Sequence, residues 1–146
     1  MKQRILFQSI DFYIVDDNYL NDIVIESINW NQEGLIPVIT QQYDSGEVLM
    51  LAWINKFILL DTQLGIYVCY WSRSRCKTWL KGEQSGNIQL LKEIYLDCDG
   101  DTLLFKVDQY GPSCHSGRIS CFYNKLLNNS NNIAKKAIIS PKFLYR

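Results

Sequence analysis

The chain has 146 residues and a mass of 17.1 kDa, 47% of it hydrophobic, which is enough for one core and too apolar for a chain that stays unfolded. Its 15 Lys and Arg balance 15 Asp and Glu, so no global field draws it to nucleic acid or anionic lipid, and any anion site must be local. No apolar run reaches the roughly 18 residues of a membrane span, and charge enters too early for a cleaved signal peptide, so a cytoplasmic protein is expected.

After a polar, irregular start, LIPVIT (35–40) reads as a strand, and YDSGEVLMLAWI continues it through an Asp44-Ser45-Gly46 turn into a second strand, together a hairpin. Asn55 is placed to cap a helix of about two turns over KFILLDTQL, with Gly65 expected to end it in the left-handed conformation. IYVCYWS (66–72) is rich in aromatic and β-branched residues and reads as a strand, followed by RSRCKTWLKGEQSG as a hairpin or loop. NIQLLKEIYLDCD and TLLFKVDQY form the next pair of strands around Gly100. GPSCHSG is a loop, RISCFYNKLL a last strand, and the Asn-rich stretch from Asn128 a loosely held tail or short terminal helix.

Six strands against one or two helices predict an α+β, predominantly β fold: a compact β-rich domain over 1–127 with one short helix, and a polar tail over 128–146. A sheet of that size leaves open edges, which dimerisation commonly hides.

The stretch LDCDGD (96–101) concentrates unlike ligands. If it is extended, Asp97, Asp99 and Asp101 share one face and Cys98 takes the other. Three converging carboxylates suit a hard cation such as Mg²⁺, whereas a thiolate suits Zn²⁺; a solvated turn is the plain alternative. Cys114 follows Cys98 with 15 residues between them, and Cys121 follows Cys114 with six between, in a loop and strand expected to fold back beside the acidic segment. Three thiolates leave one position of a tetrahedral zinc open, the mark of a catalytic centre.

The chain has five cysteines and no CxxC pair. In a reducing compartment they are core thiols or metal ligands rather than a disulfide framework. Cys69 and Cys76 are read as core thiols. His115 is the only histidine; beside a metal ligand it would be the proton carrier, although a lone histidine is more often a hydrogen-bonded surface residue. In WSRSRCKTWLKG, Arg73, Arg75, Lys77 and Lys81 alternate with Ser72 and Ser74, a pattern suited to phosphate or to a solvated hairpin face. Trp71 and Trp79 are read as packing residues.

Taken together, GEVLMLAWIN, YWSRSR, KGEQSGNIQ, DCDGD and GPSCHSGRISCFY, in this order and spacing, resemble the phosphoribosyl-AMP cyclohydrolase family over about residues 25–124. The resemblance implies hydrolytic opening of the adenine ring of phosphoribosyl-AMP at the N1–C6 bond, in histidine biosynthesis. It implies Mg²⁺ on Asp97, Asp99 and Asp101, and Zn²⁺ on Cys98, Cys114 and Cys121 across an intertwined homodimer. It makes His115 the catalytic base. A substrate with two phosphate monoesters makes Ser72, Arg73, Ser74, Arg75, Lys81 and Arg118 the expected binding residues.

This chain departs from the family pattern in Ser116 for threonine, Asn87 for histidine and Ile119 for arginine. A zinc deaminase is disfavoured because HxE…PCxxC is absent. The alternative from another class is a noncatalytic zinc-stabilised module that contacts RNA or protein through WSRSR; the cyclohydrolase reading itself requires neither nucleic acid nor membrane.

Overall fold

The computed structural model describes residues 24–126, 132–133 and 135–145; the irregular start expected before residue 24 and the Asn128–Asn131 part of the tail lie outside them. The described chain is mainly β. Strands β1 (Leu35–Gln42) and β2 (Val48–Asn55) form the expected antiparallel hairpin, turning at Gly46 with φ 73. Helix α1 (Lys56–Leu64) follows directly, capped by the Asn55 side chain, which accepts from the Ile58 amide at 2.9 Å.

Gly65 does not adopt the left-handed conformation. Its φ of −104 and ψ of 172 are extended, and its N–H closes the last turn on the Asp61 carbonyl at 3.0 Å. The chain thus runs straight from the helix towards the next strand and needs no reversal at this point.

Strands β3 (Cys69–Ser72) and β4 (Lys77–Leu80) form the second hairpin. The strand expected over 66–72 is shorter because at residues 66–68 the pairing passes to the outer edge of a different strand, β5 (Gln89–Leu96): Val68 O still accepts from Lys81 N–H at 3.0 Å, but Val68 N–H donates to Gln89 O at 3.1 Å and Leu91 N–H to Ile66 O at 2.9 Å. Strand β6 (Leu103–Gln109) returns antiparallel to β5. The main sheet has the order β2-β1-β6-β5, with β1 and β6 parallel.

The last expected strand is largely absent. RISCFY is bent, and only β7 (Asn124–Lys125) pairs, with β8 (Asn132–Ile133). Within the bend the Ser120 hydroxyl donates to Val48 O at 2.7 Å and Cys121 N–H to Leu49 O at 2.7 Å, so this segment caps the start of β2 by single contacts instead of a ladder.

Alternation places the core on one face of the sheet: Ile36 and Val38 of β1 and Leu103, Phe105 and Val107 of β6 are buried. Ile25 and Ile28, in and beside a helical turn at 24–27, join it. Trp71 and Trp79 pack against this cluster, as read from the sequence.

A polar link fixes the second hairpin to the sheet. The Tyr70 hydroxyl, fully buried, donates to Gln89 Oε1 at 2.6 Å and shares a 2.8 Å hydrogen bond with Thr40 Oγ1; Gln89 Nε2 continues to Gln109 Oε1 at 2.7 Å. Desolvation holds the Tyr70 phenol above its ordinary range, against the Thr40 hydrogen bond and with a smaller push from Cys69.

Replacing Tyr70 by Phe strands two buried partners and is expected to cost about 1–3 kcal/mol, read as a lower urea midpoint at unchanged slope. Because the folded phenol keeps its proton after the unfolded one has lost it, native stability falls as pH rises above about 10. The Phe variant is expected to lose that part of the alkaline slope, measurable by urea titration at pH 8 to 11.

Candidate functional site

The acidic segment folds as a turn, not as the extended strand that alternation assumed. Gly100 takes φ 76, Asp97 N–H bonds Thr102 O at 3.0 Å, and Asp97 Oδ1 accepts from the amides of Asp101 and Thr102 at 3.0 and 3.1 Å. Convergence survives by this other route: Asp97, Asp99 and Asp101 bring carboxylate oxygens within 4.8 Å of one another. Asn29 fastens the turn from outside, its side chain donating to Asp99 O and its amide to Gly100 O.

The charges in this turn are coupled. Desolvation opposes ionisation of Asp97, but the Thr102 amide and then its carboxyl and amide neighbours hold it below the ordinary carboxylate range. Asp99 is held above that range by its hydrogen bond to Asp97 and by the charges of Asp101 and Asp97. A divalent cation among three oxygen donors relieves that repulsion, so the donor set fits Mg²⁺.

Loop 111–117 makes the second cluster. Glycines at both ends adopt positive φ, 68 at Gly111 and 77 at Gly117. Cys114 N–H bonds Arg118 O and Gly117 N–H bonds Cys114 O, both at 3.0 Å, which leaves His115 exposed at the tip and Cys114 buried beneath it. The Ser116 hydroxyl donates to Cys114 Sγ at 3.0 Å.

Cys114 and Cys121 are neighbours. Desolvation works against the Cys114 thiolate, but Ser116, the Cys121 thiol and the Lys81 charge bring its pKa below the ordinary thiol value. Cys121 is pushed up to about 12, first by desolvation and then by the charge and hydrogen bond of Cys114. The pair offers two adjacent soft donors.

Cys98 is not with them. It is exposed in the acidic turn before β6 begins, whereas Cys114 follows the end of that strand. The strand's seven residues, at about 3.3 Å each, put roughly 20 Å between the two places. Among the described residues of one chain the three sulfurs therefore do not gather, and the loop does not fold back beside the acidic turn.

The basic hairpin carries Arg73, Ser74, Arg75 and Lys77 exposed on and beside its turn. Cys76 takes φ 49 there and is exposed; it is a turn residue, not the core thiol expected, because it lies in the turn beyond the last strand pair, Ser72 with Lys77. Cys69, half-buried against the core cluster, fits that expectation. Ser72 Oγ accepts from Arg75 N and Nε at 3.3 and 3.1 Å, so Ser72 braces Arg75. The Arg73 guanidinium sits 4.8 Å over the Trp53 ring.

Lys81 differs from the other cations. It is only 9% exposed, and Nζ donates to the Ser113 carbonyl at 2.6 Å. Desolvation lowers its pKa, while the Cys121 and Cys114 charges act in the opposite direction. Arg118, expected on substrate, directs Nε to Lys135 O at 2.8 Å and places its guanidinium 4.2 Å over Tyr123.

Beside Lys81 lies a solvent-open cavity of about 170 Å³ whose lining includes Arg75, Trp79, Gly82, Ser85 and Tyr145. Sequence reasoning missed Gly82 and Tyr145. Gly82 has φ 87, and a Cβ there would lie 2.7 Å from the Asn87 and Ile88 backbone, which is why KGEQSG folds so tightly onto itself. Asn87 rests its Oδ1 only 2.3 Å from where a Gly111 Cβ would stand, joining the two loops by contact.

No helix among the described residues is long and apolar enough to cross a membrane. The family model for phosphoribosyl-AMP cyclohydrolase matches residues 50–123, the span that holds both clusters and the basic hairpin. A phosphoribosyl-AMP cyclohydrolase of Hydrogenovibrio crunogenus is 46% identical over 146 residues, covering 100% of this chain and 99% of the relative. Those of Alkalilimnicola ehrlichii and Chromohalobacter salexigens are 53% and 52% identical over 122 residues, 84% of this chain and 86% and 84% of the relatives. With both loops, the acidic turn and the basic hairpin all inside the matched region, the chain belongs to the phosphoribosyl-AMP cyclohydrolase family.

Proposed function

We propose that this chain hydrolyses the N1–C6 bond of the adenine ring of phosphoribosyl-AMP, a step of histidine biosynthesis, as a cytoplasmic homodimer that uses Zn²⁺ and Mg²⁺. The observation that carries the reading is the His115 turn: an exposed imidazole one residue from a buried thiol of lowered pKa, itself paired with Cys121.

The residues fit both ions. Cys114 and Cys121 supply two soft donors and Asp97, Asp99 and Asp101 three hard ones. A third sulfur is Cys98 of a second copy, since β6 holds this chain's own Cys98 away from the pair; that is the physical argument for two intertwined chains. Zinc supplies the Lewis acidity that makes water a competent nucleophile near neutral pH.

In the reaction the ribosyl substituent on N1 leaves C6 electron-poor and water adds there. His115 accepts one proton of the attacking water and returns it to N1 as the N1–C6 bond breaks, while the hydroxyl proton left on C6 passes to solvent, so that C6 becomes the carbonyl carbon of a carboxamide. Arg75, braced by Ser72, and Lys81, anchored on Ser113, take phosphate oxygens at the cavity they line. Arg73 and Ser74 extend the cationic rim, and Arg118 acts through the C-terminal segment it holds.

His115→Ala is expected to lower kcat by roughly 10² with a folded, metal-loaded enzyme, followed by the absorbance change of ring opening. Arg75→Ala is expected to raise KM about tenfold or more with a smaller change in kcat, the mark of lost substrate binding. Removing zinc with a chelator is expected to abolish turnover, and adding zinc alone to restore it; a noncatalytic module would have no turnover to lose.

A further inference from the structure

We propose that residues 135–145 are a working part of the active site: a strap that holds the His115 turn from behind and ends in Tyr145, which walls the phosphate cavity. The strap lies beyond the 50–123 span that the family model matches, and the inference rests on reading that cavity as the substrate site.

Three hydrogen bonds, one ion pair, a close backbone approach and a buried leucine seat the strap. Gly117 O accepts from Ile138 N at 2.9 Å and Ile139 N at 3.3 Å. The Arg118 Nε hydrogen bond to Lys135 O holds its near end, and the Lys135 ammonium pairs with Glu47 of the β1–β2 turn. Ile139 O presses so closely on Gly117 that a Cβ there would lie 1.8 Å away. At the far end a 3-10 turn over Pro141–Phe143 delivers Leu144 into a buried site, 5% exposed.

The consequence lies one residue further on. With Leu144 buried, Tyr145 is placed at the cavity that Arg75, Trp79, Lys81 and Ser85 also line. Glu83 adds one carboxylate to this lining; against it, the two cations Arg75 and Lys81 and the Ser85 hydroxyl suit a phosphate, while the two aromatic rings suit the flat or apolar part of the nucleotide attached to it. The same strap therefore touches the turn that carries His115 through Gly117 and reaches the substrate through Tyr145. A loose tail has no reason to make either contact.

The test compares wild type, Tyr145→Ala and Tyr145→Phe in the full chain, by steady-state kinetics on phosphoribosyl-AMP and by calorimetric titration with adenosine monophosphate. Tyr145→Ala is expected to raise KM and weaken nucleotide binding roughly 3- to 10-fold with kcat nearly unchanged, and Tyr145→Phe is expected to restore both because the ring is what forms the wall. Unchanged KM and unchanged nucleotide affinity in Tyr145→Ala would overturn the proposal, as would a loss confined to kcat. A wild-type chain that binds the nucleotide without turning over phosphoribosyl-AMP would sink the functional reading instead; weaker binding by Tyr145→Ala would still uphold the wall.

Discussion

One buried ammonium group ties the halves of this site together. Lys81 leaves the end of β4 with 9% exposure and reaches the Ser113 carbonyl at 2.6 Å, so the basic hairpin and the cysteine turn are held at a fixed separation. A charge so enclosed is costly unless it meets opposite charge. Desolvation does lower the Lys81 pKa, and the Cys121 and Cys114 sulfurs are what push it back. The same field favours the Cys114 thiolate. If three thiolates hold a divalent ion as proposed, they carry an excess of one negative charge that would blunt its Lewis acidity, and a fixed cation near two of the sulfurs would offset that excess.

The Tyr70 link explains why the hairpin stays where Lys81 needs it. A two-stranded ribbon alone is marginal in water, and β3–β4 is only four residues long on each side. Its stability comes from Tyr70, whose hydroxyl joins Thr40 on β1 and Gln89 on β5, and from Trp79, whose ring packs tilted by 41° against the Tyr70 ring with centroids 5.3 Å apart. Exposed arginines can then be carried on the turn without the hairpin fraying, because the fold is anchored one layer below them.

Legibility in the sequence followed the range of the interaction. The hairpins β1–β2 and β5–β6, the Asn55 cap and the packing tryptophans were readable because alternation, turn glycines and a capping side chain act over a few residues. The parallel join of β1 to β6 was not, since nothing local in LIPVIT or TLLFKVDQ specifies a partner some sixty residues away. The left-handed ending expected at Gly65 failed because Asp61 O is satisfied by an extended Gly65. The expected strand RISCFYNKLL failed because its hydrogen bonds go singly to β2 and the C-terminal segment. At the site, the three carboxylates were legible as a set while their geometry was not: one glycine turned a two-faced strand into a loop around Asp97 Oδ1.

The separation of Cys98 from Cys114 and Cys121 shows why a single-chain reading of ligand spacing misleads. Sequence distance suggested that 15 intervening residues fold back on themselves, but seven of them form β6 and lie straight in the sheet. A straight strand is the surest way to keep its two ends apart. Cys98, exposed and beside the acidic turn, therefore has its sulfur where another molecule can meet it, and the same argument leaves the Cys114–Cys121 pair incomplete by itself. If the three sulfurs serve one ion, the strand that separates them in one chain is also what obliges two chains to share it.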